Sequence, residues 1–129
     1  MLYFYGMKQL RLLLGIIFIS LAGCVNAQTV DVKTFEQGLS EDVQLLDVRT
    51  ADEYSEGHLK GATLADINED SQFDEATSTL NLEKPVYVYC LSGRRSAKAA
   101  KILEERGFRQ VVNLDGGIEA WKEAGKPIE

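Results

Sequence analysis

The sequence has few cysteines, few prolines and no long apolar run, and each of these absences excludes a class of protein. Two cysteines in 129 residues cannot form the disulfide framework that stabilises many small exported domains. Two prolines and a hydrophobic fraction of 45% are typical of a packed core rather than of a disordered chain. The apolar run at residues 12–22 is too short to span a bilayer comfortably.

The N-terminal segment has the layout of a secretory signal peptide. Lys8 and Arg11 form a positive region before the apolar run, and small residues follow it. Met7 would also be a suitable start. We therefore predict a signal peptide at residues 1–27 and a single domain at residues 28–129, exported to the periplasm.

Two cleavage sites remain open at the end of this segment. Residues 21–24, Leu-Ala-Gly-Cys, resemble a bacterial lipobox, in which Cys24 is lipidated and becomes the mature N-terminus. Residues 25–27, Val-Asn-Ala, resemble an ordinary small-residue site before Gln28. We favour the lipobox because the apolar run leads directly into it. The domain would then be a lipoprotein, anchored to the membrane only through Cys24 by a tether of about 20 Å.

Negative charge dominates the mature domain. The chain has 14 basic and 20 acidic residues; the signal peptide holds two of the basic ones and none of the acidic ones, which leaves 12 against 20 and a net charge of −8. This balance argues against nucleic-acid binding and against unaided adsorption to anionic lipids. A local basic cluster stands out from it, and we interpret the cluster as functional: Arg94, Arg95, Lys98 and Lys101.

Strands and helices are expected to alternate along the domain. Short apolar, β-branched or aromatic runs predict strands at residues 43–48, 61–65, 85–89 and 108–114, and the patterns between and after them predict helices at 51–56, 70–80, 94–106 and 118–123. Such alternation indicates an α/β domain with a mainly parallel, helix-covered sheet. Because ligands bind beyond the carboxyl ends of such strands, three segments are expected on one rim: residues 47–49, the loop from Cys90, and residues 115–117.

Cys90 stands at the junction of a predicted strand and a predicted helix. The connecting loop is Cys-Leu-Ser-Gly-Arg-Arg-Ser, and its amides, together with the positive helix N-terminus, stabilise negative charge. Arg94 and Arg95 strengthen this field, and Gly93 lets the backbone curl so that its amides point inward. Such surroundings lower the pKa of a thiol and make it nucleophilic. If Cys24 is lipidated or removed, Cys90 is the single free thiol.

The spacing of the loop favours sulfur transfer over phosphate chemistry. Cysteine phosphatases need an arginine one position further along than Arg95 so that the loop can ring a phosphate, and this chain has Ser96 there. A smaller loop suits a single sulfur atom on Cys90. A phosphatase or arsenate reductase is therefore a weaker alternative.

On these residues the chain resembles the single-domain rhodaneses. Cys-x-x-Gly-x-Arg-Ser at residues 90–96 matches their active-site loop, and Leu-Asp-Gly-Gly at 114–117 with Trp121 matches their C-terminal signature. Their N-terminal signature matches in four short pieces, at residues 46–49, 53–54, 57–59 and 61–62. The chain departs from many relatives after Ala62, where they continue with Asn-Ile-Pro.

The resemblance implies a rhodanese-like fold and a mechanism. The fold is a mainly parallel five-stranded sheet flanked by helices on both faces. The implied activity is that of a thiosulfate sulfurtransferase: the Cys90 thiolate takes the outer sulfur of a small anionic donor such as thiosulfate, and the persulfide passes it to cyanide, a thiol or a protein acceptor. No metal and no organic cofactor is implied. The alternative function is a rhodanese-fold module that delivers or senses sulfur, or binds a protein, without turnover.

The loop residues around Cys90 are candidates for substrate binding. Arg95 and Arg94 are expected to bind the anionic donor, since arginine forks suit sulfonate-like oxygens, with bracing of the loop and simple solvation as the alternatives. The remaining loop candidates are Leu91, Ser92, Gly93 and Ser96, of which the serines are expected to bond within the loop or to cap the helix.

Supporting residues are expected outside the loop. Asp47 and Arg49 are expected to lock neighbouring loops, with ion pairing to Glu53. His58 is interpreted as part of a packed turn rather than as a catalytic base. The residues expected to allow close backbone approach to the site are Gly116 and Gly117.

Overall fold

Five strands and five helices alternate along residues 27–129, the part of the chain that this computed structural model describes. In chain order they are β1 (Ala27–Val30), α1 (Val32–Gly38), β2 (Gln44–Asp47), α2 (Ala51–Glu56), β3 (Thr63–Leu64), α3 (Asp70–Ser78), β4 (Val86–Tyr89), α4 (Arg94–Glu105), β5 (Val111–Leu114) and α5 (Gly117–Glu123). The strands form one sheet in the order β1-β5-β4-β2-β3, and all neighbours pair in parallel. The predicted parallel, five-stranded α/β sheet is confirmed.

Helices cover both faces of the sheet, as expected, because successive side chains of a strand point to opposite sides. In β4, Val86 and Val88 join one apolar cluster, whereas Tyr87 and Tyr89 join the other. The helices contribute Phe73, Ala99 and Leu103 to the first cluster and Phe35, Ile118 and Trp121 to the second. The sheet therefore has α3 and α4 on one face and α1 and α5 on the other.

The residue pattern predicts neither β1 nor α1. β1 is a four-residue edge strand that is only partly buried, and its pairing with β5 holds it in the sheet. α1 buries only Phe35, too little for a visible apolar period. Its start is marked by Asp31, whose carboxylate accepts a hydrogen bond from the N–H of Thr34 at 2.8 Å. The predicted signal peptide, with Cys24, lies outside the described residues except for Ala27, which begins β1.

α4 presents small residues to the sheet. Its buried side chains are Ser96, Ala99, Ala100 and Leu103, so the helix axis can approach β4 and β5 closely. Its N-terminus follows the loop that leaves β4. No helix within residues 27–129 is long and apolar enough to cross a membrane.

Candidate active site

Three loops meet at the carboxyl edge of the sheet. The neighbouring strands β2, β4 and β5 end at Asp47, Tyr89 and Leu114. Cys90 follows β4, the middle strand, and so lies between the loop after β2 and the turn after β5. The structure thus brings together the three segments that the strand order of the sequence assigns to one rim.

The Sγ atom of Cys90 occupies the place of a helix-capping atom. Gly93, at the N-cap of α4, has no side chain to cap the helix. Instead its N–H donates to the Cys90 Sγ at 3.1 Å, and the hydroxyl of Ser96 donates to the same sulfur at 3.3 Å. Gly93 has a φ of 103°, a left-handed conformation that glycine adopts without strain. The loop therefore forms a ring of donors around one sulfur atom.

These donors lower the pKa of the Cys90 thiol. Burial is the largest single influence and raises the pKa, since Cys90 is only 1% exposed. The hydroxyl of Ser96 and the backbone N–H groups of Ser96, Gly93 and Ser92 act in the opposite direction, and together they bring the pKa below its ordinary value. Near neutral pH, the thiol is therefore ionised to a greater extent than a free cysteine.

The first turn of α5 holds the Cys90 loop from its carbonyl side. The N–H of Ile118 donates to the carbonyl oxygen of Cys90 at 2.9 Å, and the N–H of Glu119 donates to that of Leu91 at 3.2 Å. This approach requires Gly117, because a Cβ there would lie 2.5 Å from the carbonyl carbon of Leu91. Two helix N-termini thus fix the loop, α4 on its sulfur side and α5 on its carbonyl side.

Gly116 belongs to the same close packing. A Cβ on Gly116 would lie 2.7 Å from the Cβ of Ala120, and a Cβ on Gly93 would lie 3.3 Å from the backbone nitrogen of Gly116. The turn after β5 and the Cys90 loop are therefore in backbone contact, which is the arrangement expected of Gly116 and Gly117.

Arg95 is engaged in an ion pair that braces the site. Its two terminal nitrogens donate to the two carboxylate oxygens of Glu53 at 2.7 and 2.9 Å, which joins α4 to α2. This bidentate contact lowers the pKa of Glu53 to about 2. Two roles were considered for Arg95: binding the anionic sulfur donor and bracing the loop. Its contacts with Glu53 in the described residues support the bracing role.

The prediction that Arg49 forms an ion pair with Glu53 is wrong. Arg49 instead pairs with Asp47, from its Nε at 3.0 Å and its Nη2 at 2.7 Å, and both side chains are buried. The Nη2 also donates to the carbonyl oxygen of Gly57 at 2.6 Å. A buried guanidinium requires a buried counter-charge, and Glu53 is taken by Arg95.

The Asp47 carboxylate also anchors the strand that carries the thiol. It accepts a hydrogen bond from the hydroxyl of Tyr89 at 2.7 Å, and this hydroxyl accepts one from the N–H of Leu59 at 3.0 Å. Burial raises the pKa of Tyr89, which therefore stays protonated. Because Tyr89 directly precedes Cys90, this buried network fixes the position where the loop begins.

The outer side of the loop is exposed. Leu91 is 39% exposed, and Ser92 and Arg94 are exposed as well. Within residues 27–129, no carboxylate forms an ion pair with Arg94. Arg94 is therefore the loop arginine whose guanidinium remains available to an anion from solution.

His58 lies in a packed turn. Its ring stacks on that of Tyr54, with centroids 3.8 Å apart and planes 4° from parallel, and its Nδ1 lies 3.0 Å from the carbonyl oxygen of Tyr54. Its backbone pairs with that of Glu129 through two hydrogen bonds of 2.9 and 2.8 Å. None of these contacts involves the Cys90 loop.

Sequence reasoning misses two residues that shape the site. Tyr89 stands in an apolar strand and has the pattern of an ordinary core aromatic, so nothing local indicates that its hydroxyl reaches Asp47. Asn113 in β5 is buried on the α4 side, where its Nδ2 lies 3.5 Å from the carbonyl oxygen of Gly93 in the Cys90 loop and 3.3 Å from the Thr29 Oγ1. Its Oδ1 has no partner among residues 27–129. A polar residue inside the apolar run of β5 is the signal that could have drawn attention to Asn113.

Comparison with known proteins decides the family. Residues 31–124 match the model of the rhodanese-like domain. The chain belongs to the rhodanese-like family. Both the predicted family and the predicted fold of this rhodanese-like protein are thus confirmed.

The relatives of this rhodanese-like protein include sulfurtransferases. It is 35% identical over 95 residues to "Thiosulfate sulfurtransferase GlpE" of Coxiella burnetii (strain RSA 331 / Henzerling II). The aligned region covers 74% of this chain and 86% of that protein. It is 35% identical over 101 residues to "Sulfurtransferase" of Allochromatium vinosum, with 77% and 92% covered. Its structure aligns with a rhodanese-related protein of Thermoplasma volcanium at a TM-score of 0.69 and 27% identity, covering 79% and 97%. These likenesses support sulfur transfer as its general chemistry.

Proposed function

We propose that this rhodanese-like protein is an exported sulfurtransferase that carries sulfane sulfur as a persulfide on Cys90. The observation that carries the proposal is the ring of donors around the Cys90 Sγ, with Gly93 N–H at 3.1 Å and the Ser96 hydroxyl at 3.3 Å. A thiol whose pKa is lowered in this way is a nucleophile without a separate general base. The same donors and the N-terminus of α4 stabilise the anionic persulfide.

The reaction proceeds in two half-reactions. The Cys90 thiolate attacks the outer sulfur of thiosulfate; an S–S bond to Cys90 forms, the S–S bond of thiosulfate breaks, and sulfite leaves with the bonding electron pair. The persulfide anion then meets cyanide or a thiolate, whose lone pair forms a bond to the outer sulfur. The bond to Cys90 breaks, and its electron pair returns to the Cys90 thiolate. This is ping-pong covalent catalysis, and it uses no further oxidant or reductant.

We propose that Arg94 binds the anionic sulfur donor. The contacts of Arg95 commit it to Glu53, whereas Arg94 is exposed beside the loop. A guanidinium there can offset the charge of the sulfonate end of thiosulfate while the outer sulfur approaches Cys90. The burial of Cys90, at 1% exposure, favours donors and acceptors that present a narrow reactive group.

Phosphate chemistry is opposed by two contacts. Ser96 occupies the position at which a cysteine phosphatase has its phosphate-binding arginine. The buried hydroxyl of Ser96 donates a hydrogen bond to the Cys90 Sγ at 3.3 Å. The neighbouring Arg95 is held by Glu53. The loop therefore has no arginine at the position from which a cysteine phosphatase holds its phosphate, and the nearest one, Arg95, is already paired.

The test is the intact mass of the purified domain after brief exposure to thiosulfate and then to cyanide. We expect a gain of one sulfur atom that is lost with cyanide, together with formation of sulfite and then of thiocyanate. Cys90→Ser should fold and show neither step. An active Cys90→Ser protein would exclude the persulfide mechanism. An unchanged mass with a reduced, accessible Cys90 would favour a module without turnover on this donor, and hydrolysis of an aryl phosphate would favour the phosphatase.

Export and lipidation are part of the same proposal. We propose that Cys24 becomes the lipidated N-terminus of the mature protein. In support, β1 begins at Ala27, which pairs with Val111, and the N–H of Ala27 lies 3.3 Å from the Glu104 carboxylate. Cleavage before Cys24 leaves this strand complete, whereas cleavage before Gln28 removes its first residue.

The anchor would hold the active site away from the membrane. β1 is parallel to β5 and β4, so its amino end lies at the sheet edge opposite Cys90. With β1 starting at Ala27 rather than near Val30, the tether from Cys24 is about 10 Å rather than the expected 20 Å. Mass spectrometry of the N-terminus from a bacterial membrane fraction tests this: a diacylated Cys24 is expected, and release from the membrane in Cys24→Ser. An unmodified N-terminal Gln28 would overturn it.

A further inference from the structure

The outer face of α4 carries a strip of three cations that begins at the Cys90 loop. Arg94, Lys98 and Lys101 are spaced four and three residues apart, which places them on one side of a helix. All three are exposed, on the side opposite the buried residues Ala99 and Leu103. We call these three residues the α4 strip.

The α4 strip is unfavourable for the helix itself. Cations in the first turns oppose the helix dipole, and like charges four residues apart repel each other. The first turn of α4 contains no acidic residue, and within residues 27–129 no carboxylate forms an ion pair with any member of the strip. Residues 1–26 contain no aspartate or glutamate that could supply one. Lys101 has Glu104 and Glu105 three and four residues further along α4, so the local cost is concentrated at Arg94 and Lys98. Their unfavourable placement indicates a partner outside the chain.

The strip is longer than the small donor needs. Lys101 is the seventh residue after Arg94, a rise of about 10 Å along the helix at 1.5 Å per residue. Arg94 alone adjoins the loop and suffices for an anion of thiosulfate size. Lys98 and Lys101 lie one and two turns further from the sulfur, where only a partner that extends beyond the site can reach them.

We infer that the α4 strip docks an acidic protein segment whose thiol exchanges sulfur with Cys90. This inference rests on the proposed persulfide chemistry and names the partner of that site. Residues 27–129 hold 12 basic and 20 acidic residues, a net charge of −8, so an acidic partner is repelled by the domain as a whole and attracted to the α4 strip. Such complementarity raises association rates and fixes orientation. The carboxylates of the partner contact the cations of the α4 strip. This contact places the partner's thiol at the exposed outer side of the Cys90 loop, beside Leu91 and Ser92.

The experiment compares discharge of the Cys90 persulfide to two peptide thiols. Both carry one cysteine and a short glycine spacer, followed by a run of glutamates in one and of glutamines in the other. The protein variants are wild type, Lys98→Gln/Lys101→Gln, and Lys60→Gln/Lys84→Gln. The last pair removes the same charge from exposed lysines that precede β3 and β4, at the opposite edge of the sheet.

At low ionic strength we expect the strip variant to lose about tenfold in second-order rate toward the glutamate peptide, within the range of electrostatic steering. Its rate toward the glutamine peptide and its loading by thiosulfate should stay within about twofold of wild type. The control variant should match wild type with both peptides. Salt should remove the wild-type advantage. Equal losses with both peptides, or none, would overturn the inference.

A binding arm keeps the test independent of the proposed chemistry. The same peptides with serine in place of cysteine are titrated against Cys90→Ser protein, and amide chemical shifts along α4 are followed. Shifts with the glutamate peptide that vanish in Lys98→Gln/Lys101→Gln support the strip even if thiosulfate fails to load Cys90. Absence of shifts overturns it. Binding of wild type, but not of the strip variant, to phosphatidylglycerol vesicles without any response to the peptides would assign the strip to a membrane surface instead.

Discussion

The backbone N–H of Gly93, the N-cap residue of α4, donates a hydrogen bond to the Sγ of Cys90 at 3.1 Å. The thiol at the start of the loop thus caps the helix that follows the loop. A capping oxygen from serine or aspartate usually fills this place. Here the sulfur does so. Burial raises the pKa of the thiol, and the Ser96 hydroxyl with the N–H groups of Ser96, Gly93 and Ser92 lowers it below its ordinary value. The nucleophile and the N-terminus of α4 thus form one structural unit. Substitutions at the start of α4 should change the pKa of Cys90, and substitutions of Cys90 should change the stability of α4.

Removing the Ser96 hydroxyl should raise the pKa of Cys90. The hydroxyl of Ser96 is the strongest of the donors that lower this pKa against burial, which raises it. We therefore expect Ser96→Ala to raise the pKa, measured as a shift to higher pH in the midpoint of the pH profile of iodoacetamide alkylation. Ser78→Ala, on exposed α3 surface, should leave the midpoint in place. A midpoint shared by wild type and Ser96→Ala would contradict the role given to the hydroxyl.

Gly117→Ala should separate steric exclusion from backbone strain. Gly117 has a φ of +60° and a Cβ there would lie 2.5 Å from the Leu91 carbonyl, whereas Gly125 has a φ of +73° and open space around it. Gly125→Ala should cost about 1 kcal/mol from conformation alone. Gly117→Ala should cost at least 2 kcal/mol more, because the loop must move, and should lower sulfur transfer. Urea denaturation measures both; equal losses of stability would show that the contact with Leu91 is unimportant.

The Glu53–Arg95 pair should make stability depend on acid pH. The Arg95 guanidinium lowers the pKa of Glu53 from its ordinary value of 4.5 to about 2, so the stabilisation from this pair is full above about pH 4.5 and is lost as the pH falls toward 2. Glu53→Gln should lower the denaturation midpoint at pH 7 and flatten this acid dependence.

Glu83→Gln is the matched control for that pair. Glu83 contacts Arg109 at 3.4 Å, but both side chains are 76% exposed, and such pairs contribute little. We expect Glu83→Gln to follow the wild-type profile between pH 7 and pH 3. If Glu53→Gln also follows it, the bidentate contact does not stabilise the fold.

Two tyrosines of β4 should respond differently to loss of their hydroxyl. Tyr89→Phe removes the donor to Asp47 and leaves the N–H of Leu59 without its acceptor, so a loss of about 1–3 kcal/mol is expected. Tyr87→Phe, on the same strand and face, should change the free energy of unfolding by less than about 0.5 kcal/mol. Thermal denaturation of the two variants is the measurement. A tolerated Tyr89→Phe would mean that the buried network is held by Arg49 and Asp47 alone.

The predictable part of this protein is local along the chain. The strand, the thiol, the loop and the helix from β4 to α4 are contiguous, so residue types and spacing suffice to place Cys90 at a positive helix end. Alternating strands and helices likewise indicate the parallel sheet and the shared rim. The edge strand β1 escapes such reasoning because its four partly buried residues are held by pairing with β5 rather than by their own pattern.

The choice of partners depends on the tertiary structure. Tyr89 reaches Asp47, and Arg95 reaches Glu53, across 42 residues of chain in each case. The parallel register of β2 and β4 sets the first contact, since Asp47 stands beside Tyr89. The position of α2 against α4 sets the second. Residue order reveals that an arginine needs a carboxylate; only packing determines which carboxylate lies within reach, because that depends on distances that no local pattern contains.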